Sequence, residues 1–307
     1  MIGGGSRGLG LALAEEFGRH GARLALAARH GDGLERARIH LEQCGAVADA
    51  DDVLTVAADL TQPDQAQEVI RRATERFGRV DILVNNAGVI TVAPVENQRL
   101  ENFRGAMEAN FFSAVHSTLA VLPQMLERRD GIIVNIASVG GKVAVPHLLP
   151  YSASKFALVG FSEGLHAELR GKGIHVLTVC PGLMRTGSHL GARFSGDAER
   201  EYEWFSLAAN LPGMSASAAH AARRIVRALA ARQTEIAITP QALVAARLSA
   251  VVPEVTLRAL ALVNRLLPAA DGGAGQEPRR GVDVRSREWR ASAAIGGRAA
   301  RRYNQSA

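Results

Sequence analysis

A chain of 307 residues with 47% hydrophobic, 21% charged and 5% aromatic side chains has ample material for one large folded domain or two small ones. Its 36 basic and 30 acidic residues leave +6, yet eight Arg against four acids between Asp271 and Ala307 carry +4 of that, and only Lys142, Lys155 and Lys172 are lysines. So uneven a distribution argues against a phosphate-binding stripe for nucleic acid, and two isolated cysteines, Cys44 and Cys180, with no CxxC pair and no His cluster at ligand spacing exclude a disulfide framework or zinc site.

No basic, apolar leader opens the chain and no run of about 20 uncharged apolar residues occurs, so the expectation is a soluble, cytoplasmic protein. Met1 and Ile2 alone precede Gly3-Gly4-Gly5-Ser6-Arg7-Gly8-Leu9-Gly10, which turns into a helical pattern over Gly10 to His20. Backbone amides at a helix start bind phosphate oxygens, and glycines let a diphosphate approach without a Cβ in the way. Such a loop ordinarily follows a complete buried strand. Either the start is truncated or the strand is vestigial; because a missing central strand would leave its neighbours' ladder hydrogen bonds unmade and split the sheet, the expectation is that a few residues are missing ahead of Met1.

Further strands are predicted at Arg23 to Ala27, Val53 to Ala57, Val80 to Val84, Ile132 to Ile136, Ile174 to Val179 and Glu235 to Ile238. Helical patterns lie between them at Gly33 to Cys44, Pro63 to Phe77, Leu100 to Arg128, Ser152 to Gly171 and Ser217 to Arg232. The alternation predicts an α/β fold, a Rossmann-like doubly wound parallel sheet forming a single domain over residues 1–240. Residues 241–268 read as an extension of two amphipathic helices broken at Pro253. In order of preference they cover the pocket, contact another subunit, or lie on a membrane interface. The Gly/Arg-rich remainder, 269–307, has few large apolar residues and reads as a loosely held tail.

Chemistry-bearing residues gather at predicted strand ends, where open α/β sheets bind ligands. Asn85-Asn86-Ala87-Gly88 follows the fourth strand, Ser138 the fifth and Pro181-Gly182 the sixth, while Tyr151-Ser152-Ala153-Ser154-Lys155 opens a helix. Lys155 lies four residues after Tyr151, one turn on along the same face, where an ammonium favours a phenolate. These motifs together resemble the short-chain dehydrogenase/reductase (SDR) family over about residues 1–240.

The resemblance implies an oxidoreductase that moves a hydride between a nicotinamide cofactor and a carbonyl or alcohol. It implies that Tyr151 is the general acid/base and that Lys155 lowers its pKa and holds the nicotinamide ribose. Ser138 would hydrogen-bond the substrate oxygen, and Asn110 would hold a proton-relaying water. Gly4, Ser6, Arg7, Gly8, Leu9 and Gly10 would cradle the diphosphate, and Asn86, Ala87, Gly88, Pro181 and Gly182 would line the cofactor. Thr186 stands at the family's carboxamide or diphosphate position. Asp59-Leu60 matches its adenine-contacting position, although Asp59 reads equally as the start signal of the next helix.

Cofactor choice is read from charge. The second strand ends Ala28-Arg29, with Ala28 where an acid would hold the ribose hydroxyls of NAD, and Arg7 supplies a second guanidinium. NADP(H) is the preferred cofactor, with NAD(H) as second choice. Between 187 and 215, Phe194, Tyr202, Trp204, Phe205, Leu207 and Met214 form either an apolar lid, which would argue for a hydrophobic substrate, or the core of a helix pair. His147 and His189 lie near the expected pocket and read as structural. The expected partners are a small-molecule substrate and further copies of the chain, as dimer or tetramer, with no nucleic acid and no metal. The competing reading is a catalytically impaired nucleotide-binding scaffold or redox sensor on the same fold.

Overall fold

Runs rich in Val, Ile, Leu and Ala form seven strands, each followed by a helix or loop that carries the chain back across the sheet. In the computed structural model, which describes residues 1–211, 213–271, 277–284 and 297–305, they are β1 (Ile2–Gly3), β2 (Leu24–Ala28), β3 (Val53–Ala57), β4 (Ile82–Asn85), β5 (Gly131–Ile136), β6 (Ile174–Cys180) and β7 (Glu235–Ala237). Every pairing is parallel, in the order β7-β6-β5-β4-β1-β2-β3. All seven positions of β6 are buried, as expected of a strand covered by helices on both faces. The doubly wound fold read from the sequence is the fold observed.

The sheet does not split at its short strand. Ile2 pairs with Leu26 on one side and Val84 on the other, and Gly3 with Ala27 and Asn85. The Met1 carbonyl also accepts from the Val84 amide at 2.9 Å. Two residues are enough to join β2 to β4 at their carboxyl ends, where the ligand loops leave. Toward the opposite edge, Leu24, Ala25, Ile82 and Phe77 border an opening of about 320 Å³.

Helices α1 (Gly8–Arg19), α2 (Gly31–Gln43), α3 (Pro63–Phe77), α4 (Leu100–Met107), α5 (Ser113–Arg128) and α6 (Leu149–Leu169) cover the two faces. The predicted single helix from Leu100 to Arg128 carries a π turn at Glu108–Phe112, which separates α4 from α5 and contains the buried Asn110. Such turns insert one extra residue and re-aim a side chain. Past the sixth strand come α7 (Ala198–Asn210) and α8 (Ala218–Ala230), which packs on α1.

The extension is helical as expected, α9 (Pro240–Val251) and α10 (Pro253–Asn264), each with Pro at its first position. Its large apolar residues are left largely uncovered by the rest of the described chain, and none of them lines the groove described below. Leu248, Val255, Leu257 and Leu262 are exposed, only Ala242 of α9 is buried, and α10 buries none of its residues. None of the described helices is long and apolar enough to cross a membrane.

Two described parts of the tail, 277–284 and 297–305, dock onto the domain. Arg279–Arg280 adds an antiparallel strand to Arg193–Phe194, and Val284, Ala300 and Tyr303 are buried. Few apolar residues suffice because they enter existing gaps: a Cβ on Gly187 would stand 2.7 Å from that of Ala300.

Candidate active site

The glycine turn is built by backbone contacts that leave no room for side chains. Gly4 and Gly5 donate to the Ala27 carbonyl at 2.8 and 3.2 Å, and Gly4 and Gly8 have φ of +70° and +59°, conformations that favour glycine. A Cβ on Gly10 would lie 2.1 Å from the Gly4 oxygen. The Asn86 amide donates to the Gly4 and Gly3 carbonyls at 3.1 and 3.4 Å, joining the loop after β4 to this turn.

One groove of about 690 Å³ runs along the carboxyl ends of the strands. Gly4, Ser6, Arg7, Gly8, Leu9, Arg29, Asp59, Leu60, Asn86, Ala87, Gly88, Ser138, Tyr151, Lys155, Pro181, Gly182 and Thr186 all line it. Gly10 and Asn110 stand behind the wall. Asn110 is 1% exposed, accepts from the Val89 amide at 2.7 Å, and donates to the Val89 carbonyl at 3.1 Å and to Ser154 Oγ at 2.8 Å. Its direct partners are therefore the backbone after Gly88 and the helix that carries Lys155.

Asp59 forms a turn and lines the groove. Its carboxylate accepts from the Thr61 amide and hydroxyl at 3.1 and 2.9 Å, forming the turn ahead of α3, while the residue also faces the groove. Thr186 is 3% exposed, and its hydroxyl accepts from the Ser188 amide at 3.2 Å.

Ser138 follows β5, and its hydroxyl accepts from the Gly140 amide at 3.0 Å. Tyr151 lies in the first turn of α6 beside it. Burial pushes the phenol above its ordinary pKa, and the hydrogen bond with Ser138 opposes this. Lys155 is 4% exposed, its Nζ is 5.8 Å from the Tyr151 ring centroid, and it donates to the Ile136 carbonyl at 2.8 Å. Burial lowers its pKa to about 8. The sequence reading had Lys155 lowering the phenol's pKa; in this state desolvation of the phenol dominates and the ammonium is tied to backbone.

The aromatic residues of the substrate loop are spent mainly on packing. Phe194, Tyr202 and Phe205 are buried in a cluster with Val92, Leu148 and Val284, against which Tyr151 and Trp204 pack, whereas Leu207 and Met214 are exposed. His147, with φ +63°, has Nδ1 2.8 Å from Glu201 Oε1, and the Trp204 indole donates to Glu201 Oε2 at 2.7 Å. This buried group fixes α7 beside the Tyr151 turn, a structural role that fits the sequence reading of His147.

The structure adds residues that sequence reasoning missed. Arg193, Arg280, Asn304 and Gln305 line the same groove. Their signal was absent because they are brought there by tertiary contacts with the tail. Behind the wall, Asn85 donates to Thr118 and Asn135, and Asn135 in turn to Ser162, a buried chain with its hydrogen bonds satisfied. Glu15 on α1 and His40 and Cys44 at the end of α2 have ligand atoms within 4.8 Å of one another. The Glu15 oxygens there are taken by Arg19, Arg302 and His40.

The groove fits a dinucleotide. Its glycine turn admits a phosphate closely, and Arg7 and Arg29 face it without an ion-pair partner among the described residues. Comparison with known proteins agrees. The family described as short chain dehydrogenase matches residues 1–193. The Dehydrogenase/reductase SDR family protein 7-like of Anopheles gambiae is 37% identical over 192 residues, 62% of this chain and 61% of that protein. The chain thus spans about three fifths of that curated relative's length. A short-chain dehydrogenase from Streptomyces avermitilis superimposes with a TM-score of 0.71 at 31% identity, over 86% of this chain and 97% of that one. A short chain dehydrogenase/reductase from Burkholderia phymatum, in complex with NAD, gives 0.72 at 27% identity, over 84% and 93%.

Proposed function

The chain belongs to the short chain dehydrogenase family, and on that premise we propose that it is an NADP(H)-dependent oxidoreductase acting on a carbonyl or secondary alcohol of a hydrophobic small molecule. The observation that carries the reading is the convergence of Ser138, Tyr151 and Lys155 on the groove headed by the glycine turn.

When bound, the nicotinamide supplies or accepts the hydride. Tyr151 gives a proton to the substrate oxygen in reduction and takes it back in oxidation, and Ser138 holds that oxygen by a hydrogen bond. The Lys155 ammonium, close to the ring, favours the phenolate and holds the ribose hydroxyls. Asn110 fixes the loop after Gly88 against the helix that carries Lys155. Ile90 and Met184 give the groove beside Tyr151 an apolar wall, which supports a hydrophobic substrate.

The preference for NADP(H) rests on Arg7 and Arg29, with Ala28 where an acid would repel a 2′-phosphate. A homo-oligomer is supported by Phe112 in the π turn, Leu119 on α5 and Phe156 on α6, all exposed. The test is Tyr151→Phe. NADPH-dependent turnover of a panel of hydrophobic ketones should vanish while NADPH affinity stays within about threefold, and retained turnover refutes the assignment of the acid/base.

A further inference from the structure

The carboxyl-terminal segment reaches the groove at two points. At the first, the Gly281 amide donates to the Ala192 carbonyl at 2.8 Å, and the strand before it pairs Arg280 with Arg193. Gly281 sits so close to the His189 carbonyl that a Cβ would stand 2.0 Å from its oxygen. This docking places Arg280 on the rim of the groove that Arg7 and Arg29 also line. All three are exposed, and none has an ion-pair partner among the described residues. The Arg7 guanidinium, partly desolvated by the protein around it, also feels the charges of both Arg280 and Arg29, and together these hold its pKa below the ordinary value. Asp32 and Asp59 line the same groove but pair with none of the three, and like charges without an ion-pair partner are costly until an anion joins them.

At the second point, residues 299–305 cross the glycine turn. The Gly8 amide donates to the Tyr303 carbonyl at 2.8 Å. Asn304, with φ +60°, donates from Nδ2 to the carbonyls of Ser6 and Gly33, each at 3.0 Å, and accepts from Arg36 Nε at 3.1 Å. One side chain thus ties the turn after β1 to the start of α2. Because the Gly8 amide is already used, it is not available to a phosphate, and more of the anion's charge falls to the guanidiniums.

We propose that this segment is a working part of the cofactor site, with Arg280 joining Arg7 and Arg29 in binding the phosphates of the dinucleotide and Asn304 positioning the glycine turn that receives them. The proposal rests on the dinucleotide reading above and extends it to residues outside the matched family region, 1–193.

The experiment titrates the full chain with NADPH and NADH by fluorescence, and with 2′,5′-ADP and ADP by calorimetry, alongside Arg280→Ala, Arg279→Ala and Asn304→Ala. Arg280→Ala should weaken NADPH about tenfold, the worth of one charge-assisted contact. Arg279→Ala, whose guanidinium bonds the Asp283 carbonyl, should change it less than twofold. A loss confined to 2′,5′-ADP places Arg280 on the 2′-phosphate, and an equal loss with ADP places it on the diphosphate. Equal affinities of Arg280→Ala and Arg279→Ala overturn its role. Asn304→Ala should raise the cofactor KM severalfold with kcat held, and an unchanged cofactor KM overturns the positioning role. If the wild-type chain prefers NADH, the NADP(H) reading falls, while the Arg280 comparison made with NADH still decides the proposal. Binding of neither dinucleotide overturns both.

Discussion

Replacing Gly10 by Ala tests whether the glycine turn is as tightly built as its contacts indicate. The new Cβ would stand 2.1 Å from the Gly4 oxygen, 2.6 Å from Asn86 Nδ2 and 2.9 Å from the Gly4 carbonyl carbon. Ordinary contact begins near 3.4 Å, so the Gly4 carbonyl must retreat by about 1.3 Å. It is held in place by the Asn86 amide, and its own residue's amide is bonded to Ala27 at 2.8 Å. A movement of that size breaks both bonds, about 1 kcal/mol each. Overpacking adds about 1–3 kcal/mol, so Gly10→Ala should lose about 3–5 kcal/mol in urea unfolding. Misplacing a binding loop by about 1 Å should also weaken NADPH on the order of a hundredfold. Gly160→Ala is the control: it lies exposed in α6 with nothing within 4 Å of its Cβ, and should gain about 0.5–1 kcal/mol. A Gly10→Ala protein within 1 kcal/mol of wild type that binds NADPH within about threefold would refute the reasoning.

Three further outcomes are expected. Glu15 is buried with its pKa held to about 2, by the hydrogen bond from His40 first and from Arg19 against the opposing effect of burial. Its folded value lies below the unfolded one, so its stabilisation, up to about 3 kcal/mol, is present above pH 4.5 and is lost as pH falls toward 2; Glu15→Gln should flatten urea midpoints over that range, and an unchanged slope would count against it. Burial of the Lys155 ammonium lowers its pKa from 10.5 to about 8, a penalty of about 3 kcal/mol that is fully present below pH 8 and relieved as pH rises from 8 to 10.5. Lys155→Met should therefore raise Tm at pH 7 while abolishing turnover, and a lowered Tm would show that the Ile136 hydrogen bond outweighs desolvation. Leu119→Glu should lower the mass seen by light scattering if α5 makes the subunit contact; an unchanged assembly places that contact elsewhere.

The sheet and the groove were legible because their signals are local. Strands show as short apolar runs, and a phosphate turn, a Tyr and Lys one helical turn apart and an Asn-Asn-Ala-Gly loop each lie within a few residues. What could not be read depends on contacts between distant segments. How far β1 joins its neighbours could not be read either: Ile2 and Gly3 pair with Leu26, Ala27, Val84 and Asn85, while Leu24, Ala25 and Ile82 border an opening. The π turn at Asn110 leaves the apolar periodicity of its helix almost unchanged. The aromatic loop could not be divided into lid and core until Val284 was seen to close over Phe194 and Tyr202. Arg280 and Asn304 look like ordinary residues of a polar tail, and only docking gives them a place at the groove.

The hydrogen bond from Asn304 to Ser6 spans 298 positions of the chain, so the turn opened by the first ten residues is completed by nearly the last. Contacts of such sequence separation carry the largest loop-closure entropy and form late in folding. A folding intermediate with a complete sheet and an undocked tail would therefore lack part of the nucleotide groove and bind its cofactor weakly. Cofactor capture then reports on the final docking step, and refolding followed by NADPH fluorescence should lag refolding followed by far-UV circular dichroism.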